Sequence, residues 1–179
     1  MADPLLDLTR RYLEPHRRYH GVHHIAHMLA AGAEPGLDDG QIMAIWFHDA
    51  IYDPRSKTNE ADSAALATSR LLAAGWPAAA AQRVHDIVLA TKDHRPTVAG
   101  SELVLDLDLM SLALPWPEFT RNTADIRAEY AHVPDAEFSA GRAAFFRAML
   151  QRDRLFHTAF GTRFEAAARA NLRQAIGAA

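Results

Sequence analysis

Apolar residues recur along this chain at intervals of three and four rather than two, the spacing that lines one face of an α-helix. Read with the proline and glycine breaks, the pattern predicts nine helices, at about Leu5 to Glu14, Tyr19 to Ala31, Asp39 to Ile51, Asn59 to Ala74, Pro77 to Thr91, Ser101 to Leu112, Pro117 to His132, Asp135 to Arg152 and Thr162 to Ile176. Pro35-Gly36, Gly75-Trp76-Pro77 and Pro115-Trp116-Pro117 supply the stops, because proline cannot continue a helix and glycine accepts the backbone turn that ends one. The expected fold class is all-α. The alanine-rich stretches 61–81 and 165–179 fit helices packed closely together. One segment reads two ways: the Leu/Asp alternation of Leu103 to Leu109 fits a buried helix, and it also fits a strand with one wet face.

At 179 residues, with 49% apolar and 23% charged side chains, the chain has the size and composition of one globular domain spanning residues 1–179. No repeat, low-complexity linker or shift in composition marks a second. There is no cysteine, which excludes disulfides, zinc–thiolate sites, iron–sulfur clusters and thiol nucleophiles; any metal needs nitrogen and oxygen ligands. The N-terminus lacks the basic-then-apolar order of a secretory signal, and no stretch approaches the roughly 20 apolar residues that span a bilayer. A cytoplasmic location without membrane association is the expectation. The net charge of -3, with basic residues scattered, lacks the footprint of a general nucleic-acid binder and favours a small substrate. A homo-oligomer stays possible, since patterning does not locate exposed apolar patches.

Polar residues in apolar places narrow the chemistry. The third predicted helix ends Trp46-Phe47-His48-Asp49-Ala50, a histidine and an aspartate at the end of a strongly apolar run. Burial of an unpaired carboxylate is costly, so Asp49 needs a partner or a metal, unless the pair is simply a helix end near solvent. His20 to His27 holds four histidines in eight residues. On a helix whose core face is Val22, Ile25, Met28 and Leu29, His24 lies nearest the core edge, whereas His23 and His27 read as solvated. His20, four residues before His24, would share its face. Within the run 103–109, Asp106 and Asp108 have apolar neighbours on every side; in a helix at least one is buried and needs a cation or several donors.

Taken together, these motifs resemble the HD superfamily of metal-dependent phosphohydrolases, which is defined by a separate histidine, an adjacent His-Asp pair and a later aspartate. More closely, the chain is similar to a bacterial branch of predicted metal-dependent HD phosphohydrolases through Tyr19-His20, His24-Ile25, Trp46-Phe47-His48-Asp49-Ala50, Asn59-Glu60, Ala90-Thr91-Lys92 and Asp106-Leu107-Asp108-Leu109. The likeness continues through Glu129-Tyr130-Ala131, Gly141-Arg142 and Ala168-Arg169-Ala170-Asn171-Leu172, and so covers nearly the whole chain. It implies a compact multi-helix HD fold and a divalent ion, one of Mn, Mg, Fe, Co, Ni or Zn, on His24, His48, Asp49 and Asp108. Asp108 is preferred over Asp106 because Asp108-Leu109 followed by Met110-Ser111 is similar to the Asp-Leu-Ser-type segment of cyclic nucleotide phosphodiesterases. The arrangement from Tyr19 to His24 is also similar to those relatives and gives His20 the part of general acid. They carry another histidine just after the His-Asp pair where this chain has Tyr52-Asp53, so their cyclic-nucleotide activity does not transfer.

The reaction implied is hydrolysis of a small phosphorylated metabolite or nucleotide by a metal-bound hydroxide, since such an ion activates water and polarises phosphate together. Asp53, taken to follow the His-Asp pair by one helical turn, or else Glu60, would accept or orient the water's proton, and His20 would protonate the leaving oxygen. Arg18, Lys57, Lys92, Arg95 and His94 flank the motifs as candidate phosphate contacts. Two other functions fit the same residues: a di-iron oxygenase drawing further ligands from His85 and His94, and a nucleotide-binding module without turnover.

Overall fold

The computed structural model describes residues 4–177; residues 1–3, part of the N-terminal expectation above, and 178–179 lie outside the described residues. The described residues form helices joined by turns and loops, with no strand: α1 (Pro4–Tyr12), α2 (Val22–Gly32), α3 (Asp39–Phe47), α4 (Asn59–Ala73), α5 (Ala78–Ala90), α6 (Ser101–Leu109), a 3-10 turn (Met110–Ala113), α7 (Trp116–Glu129), α8 (Asp135–Leu150), α9 (Ala159–Thr162) and α10 (Glu165–Gly177). They form two compact units, Met1–Leu105 and Asp106–Ala179, with the boundary inside α6. None of these helices is long and apolar enough to cross a membrane.

In the first unit α3 packs on α2, α4 and α5, and α4 packs on α5. Ala64, Ala67 and Ala81 are fully buried there, as the alanine-rich stretch predicts. Helix α3 starts on a reciprocal cap: the Asp38 carboxylate accepts the Gln41 N–H at 2.9 Å and the Gln41 side chain accepts the Asp38 N–H at 3.0 Å. A bidentate ion pair, Arg83 Nη1 and Nη2 to the two Asp38 oxygens at 3.0 and 2.8 Å, ties that cap to α5. The Arg83 guanidinium holds the Asp38 carboxyl below its ordinary range and is itself raised in return.

Two expected helices are shorter where they matter most. The second starts at Val22, not Tyr19, because the Gly21 amide turns back to the Tyr19 carbonyl at 2.8 Å and Gly21 is an extended N-cap. The third ends at Phe47, not Ile51. To continue, the Asp49 N–H would need the Ile45 carbonyl, but that oxygen accepts from His48 Nδ1 at 2.9 Å and the Asp49 N–H goes to the Tyr12 hydroxyl at 3.3 Å. Further on, the N–H and carbonyl of Ile51 are both taken by the Ser63 hydroxyl.

The second unit packs α7 and α10 on the 3-10 turn and α10 on α8, around buried Leu109, Phe119, Phe146, Met149, Phe156 and Leu172. Residues 103–109 are helical, which settles the helix-or-strand choice. The last expected helix starts at Glu165, not Thr162, and a short helix that the pattern did not predict, α9, precedes it. Thr158 caps α9 by accepting the Gly161 N–H at 3.0 Å, and α10 starts at Glu165, whose carboxylate accepts the amides of Leu155 and Phe156. Asn171 Nδ2 donates to the carbonyls of Leu112 and Leu114, both at 2.8 Å, and so holds the end of the 3-10 turn.

Candidate metal centre

The end of α3 presents the His-Asp pair from a turn, not from a helix face. His48 is the C-cap and is 2% exposed; Asp49 follows, half-buried. Because the Ile45 carbonyl can only accept, His48 Nδ1 carries a proton, and Nε2 lies 3.1 Å from Asp49 Oδ2. Two electron-rich atoms so close repel unless a cation or a proton accompanies them. From α2, His24, 5% exposed, brings its ring centroid to 5.3 Å from that of His48. One ligand atom from each of His24, His48 and Asp49 lies within 4.8 Å of the others. Atoms sharing an ion at about 2.1 Å stand at most about 4.2 Å apart, so small side-chain rotations complete a coordination shell. This group can hold a metal ion, and its nitrogen and oxygen donors suit borderline to hard divalent ions.

His20 lies just before α2, half-buried, its ring 6.4 Å from His24 and stacked on Tyr52 at 4.5 Å. It reaches the cluster through the bend at 19–21 and not, as the sequence pattern implied, from the same helix face. His23 and His27 are exposed.

Asp106 and Asp108 separate clearly. Asp106 is 1% exposed, and its carboxylate accepts from the amides of His157 and Thr158 at 2.7 and 2.8 Å and from the Thr158 hydroxyl at 2.5 Å. Burial pushes its pKa up, while the Thr158 hydroxyl and the two amides pull it back. Of the two needs a buried aspartate has, a cation or several donors, Asp106 meets the second. Asp108, also on α6 in the second unit, is half-buried.

The remaining candidates stand on the surface or at helix ends. Asp53 is exposed in the segment after α3, which has already left the helix, so the one-turn spacing from the His-Asp pair does not hold. Its carboxylate accepts the Arg55 N–H at 2.9 Å, and its backbone is clasped by the Asn59 side chain, Oδ1 taking the Asp53 N–H and Nδ2 donating to the carbonyl. Glu60 is half-buried in the first turn of α4. Arg18, Lys57, Lys92 and Arg95 are exposed; the Lys92 ammonium donates to the Lys57 carbonyl at 3.2 Å. His94 is half-buried in the turn after α5, with a left-handed backbone at φ 47°. His85 sits on α5 beside Asp86, 3.0 Å from its carboxylate.

Sequence reasoning missed Arg17 and Tyr12. The Arg17 side chain is 1% exposed and donates to three main-chain carbonyls: His20 at 3.2 Å and Asp49 at 2.6 Å through Nη1, and Ala50 at 3.2 Å through Nη2. The Tyr12 hydroxyl donates to the Trp46 carbonyl at 3.0 Å besides accepting the Asp49 amide. The four-residue step from Leu8 to Tyr12 signals an inward tyrosine. Nothing in Arg17-Arg18 says which arginine is buried.

Comparison of the chain with protein-family models, curated proteins and solved structures finds no match.

Proposed function

We propose that this chain is a metal-dependent phosphohydrolase of the HD type, acting on a small phosphorylated metabolite or nucleotide. The observation that carries this reading is the convergence of His24, His48 and Asp49 with His20 beside them. By the resemblance alone, Asp108 is the expected fourth ligand. When bound, a divalent ion supplies an activated water and polarises a phosphoryl oxygen. His24 and His48 offer neutral imidazoles, Asp49 a carboxylate that offsets the ion's charge, and the hydrogen bond from His48 Nδ1 to Ile45 fixes which nitrogen faces the ion. His20, half-buried and held by its stack on Tyr52, protonates the leaving oxygen at the edge of the cluster. Asp53 or Glu60 orients the water's proton; the Asp53 carboxylate already accepts the Arg55 N–H in its own turn.

Elemental analysis of the purified protein, followed by a screen of phosphorylated metabolites with and without chelator, tests the proposal. One bound divalent ion and chelator-sensitive phosphate release are expected. Two irons per chain with oxygen consumption would replace it with the oxygenase, and tight nucleotide binding without phosphate release with the binding module. Within the hydrolase, His20→Ala keeps its metal but turns over about 10²–10⁴-fold more slowly, the ordinary worth of a positioned acid; a wild-type rate removes His20 from the mechanism.

A further inference from the structure

A guanidinium arrives with a full charge that water would otherwise solvate, so a buried one must be met by several acceptors. Arg17 is such a case. It lies between α1 and α2, and its fork reaches the carbonyls of His20, Asp49 and Ala50 while Nε meets Glu14 Oε2 at 3.0 Å. Its carbon centre lies 5.1 Å from the ring of Tyr12 and 5.4 Å from that of Tyr52, so aromatic faces enclose the cation on two sides. The same rings touch the same segments. The Tyr12 hydroxyl takes the Asp49 amide and donates to Trp46, and Tyr52 stacks on His20. The bend before α2, which carries His20, and the turn after α3, which carries His48 and Asp49, are therefore tied to one planar group.

We infer that Arg17 is a positioning residue for the metal centre, its single guanidinium setting the spacing between the His20 bend and the His48-Asp49 turn. The inference rests on the metal-centre reading above. Arg17 touches neither ion nor substrate; it fixes the main chain from which His20 and Asp49 project. The geometry needs a fork: three carbonyls at different angles suit the rigid, planar donors of arginine and not the point charge of lysine.

Cobalt(II) is a suitable probe, since its visible bands report coordination geometry independently of any substrate. Titration of the metal-free full chain with cobalt, for wild type, Arg17→Met and Arg17→Lys, reads the inference directly. Arg17→Met should keep its helical circular dichroism, bind cobalt about 10–100-fold more weakly, as loss of a supporting partner commonly does, and show altered bands. Methylguanidinium added to that variant should restore part of the affinity and the wild-type bands, which general destabilisation does not explain. Arg17→Lys should fall between the two. Wild-type affinity and bands in Arg17→Met overturn the inference; should that variant not fold, the same result in Arg17→Lys overturns it. Absence of cobalt bands in the wild-type chain defeats the metal-centre reading itself, a result distinct from any difference between variants.

Discussion

Asp49 and Asp106 are the same residue type, each set among apolar neighbours, and the chain treats them in opposite ways. Around Asp106 the second unit folds a turn whose two amides and one hydroxyl all point at the carboxylate, so its lone pairs are taken up within the protein. Around Asp49 it is the main chain that is held: the Tyr12 hydroxyl accepts the amide and Arg17 donates to the carbonyl, while the carboxylate lies 3.1 Å from His48 Nε2. A buried carboxylate met by N–H and O–H groups is architecture. One whose backbone is held firmly beside the rings of His24 and His48 belongs to a group that can hold a metal ion.

The contrast can be broken in stability measurements. Asp106→Ala leaves two amides and a hydroxyl without their acceptor and should lower unfolding stability by about 3 kcal/mol, visible in a denaturant midpoint, with metal content unchanged; loss of metal with little change in stability would reverse the two roles. For Asp49 the expectation is the mirror image. Removal of metal from the wild type should cost about 2.7 kcal/mol when the free ion had stood at a hundred times its Kd, and a thermal melt of Asp49→Ala should not respond to chelator at all. Gly161 sharpens the structural side. A Cβ there would fall on the Asp106 carboxylate and come within 2.9 Å of Phe156 Cβ, so Gly161→Ala should destabilise by about 2 kcal/mol without altering metal affinity. The smallest effect belongs to Asp38. Asp38→Asn keeps the cap but loses the ion pair with Arg83, which stands half in solvent and contributes about 0.5 kcal/mol. Since the folded pKa of Asp38 lies below its ordinary 3.8, that advantage is present above 3.8 and fades as pH falls through the lowered value. Wild type and Asp38→Asn melts compared between neutral and acidic pH should therefore converge at the acid end.

Much of this was legible in the residues. Helical spacing gave the α-class, and His24 stood out among four histidines because Ile25 and Met28 fix the inward face and leave His23 and His27 outside. Periodicity could not show where α3 stops, since the apolar pattern runs on through Ala50 and Ile51; the stop comes from Tyr12, Arg17 and Ser63, all distant in sequence. The choice between Asp106 and its neighbour likewise depended on donors some fifty residues away, His157 and Thr158, which no local pattern announces. The helical spacing that points to Asp53 disappears with the early stop of α3.

That early stop has a mechanical consequence. With nine residues α3 is only about 14 Å long, and both ends are clamped, one by the Asp38–Gln41 lock with Arg83 behind it, the other by a phenol and a guanidinium. A rod pinned at both ends can neither slide like a piston nor turn about its axis without breaking the two clamps together. Any opening and closing of the ligand cluster must therefore be driven by segments other than α3, which serves as the fixed jaw of the vice.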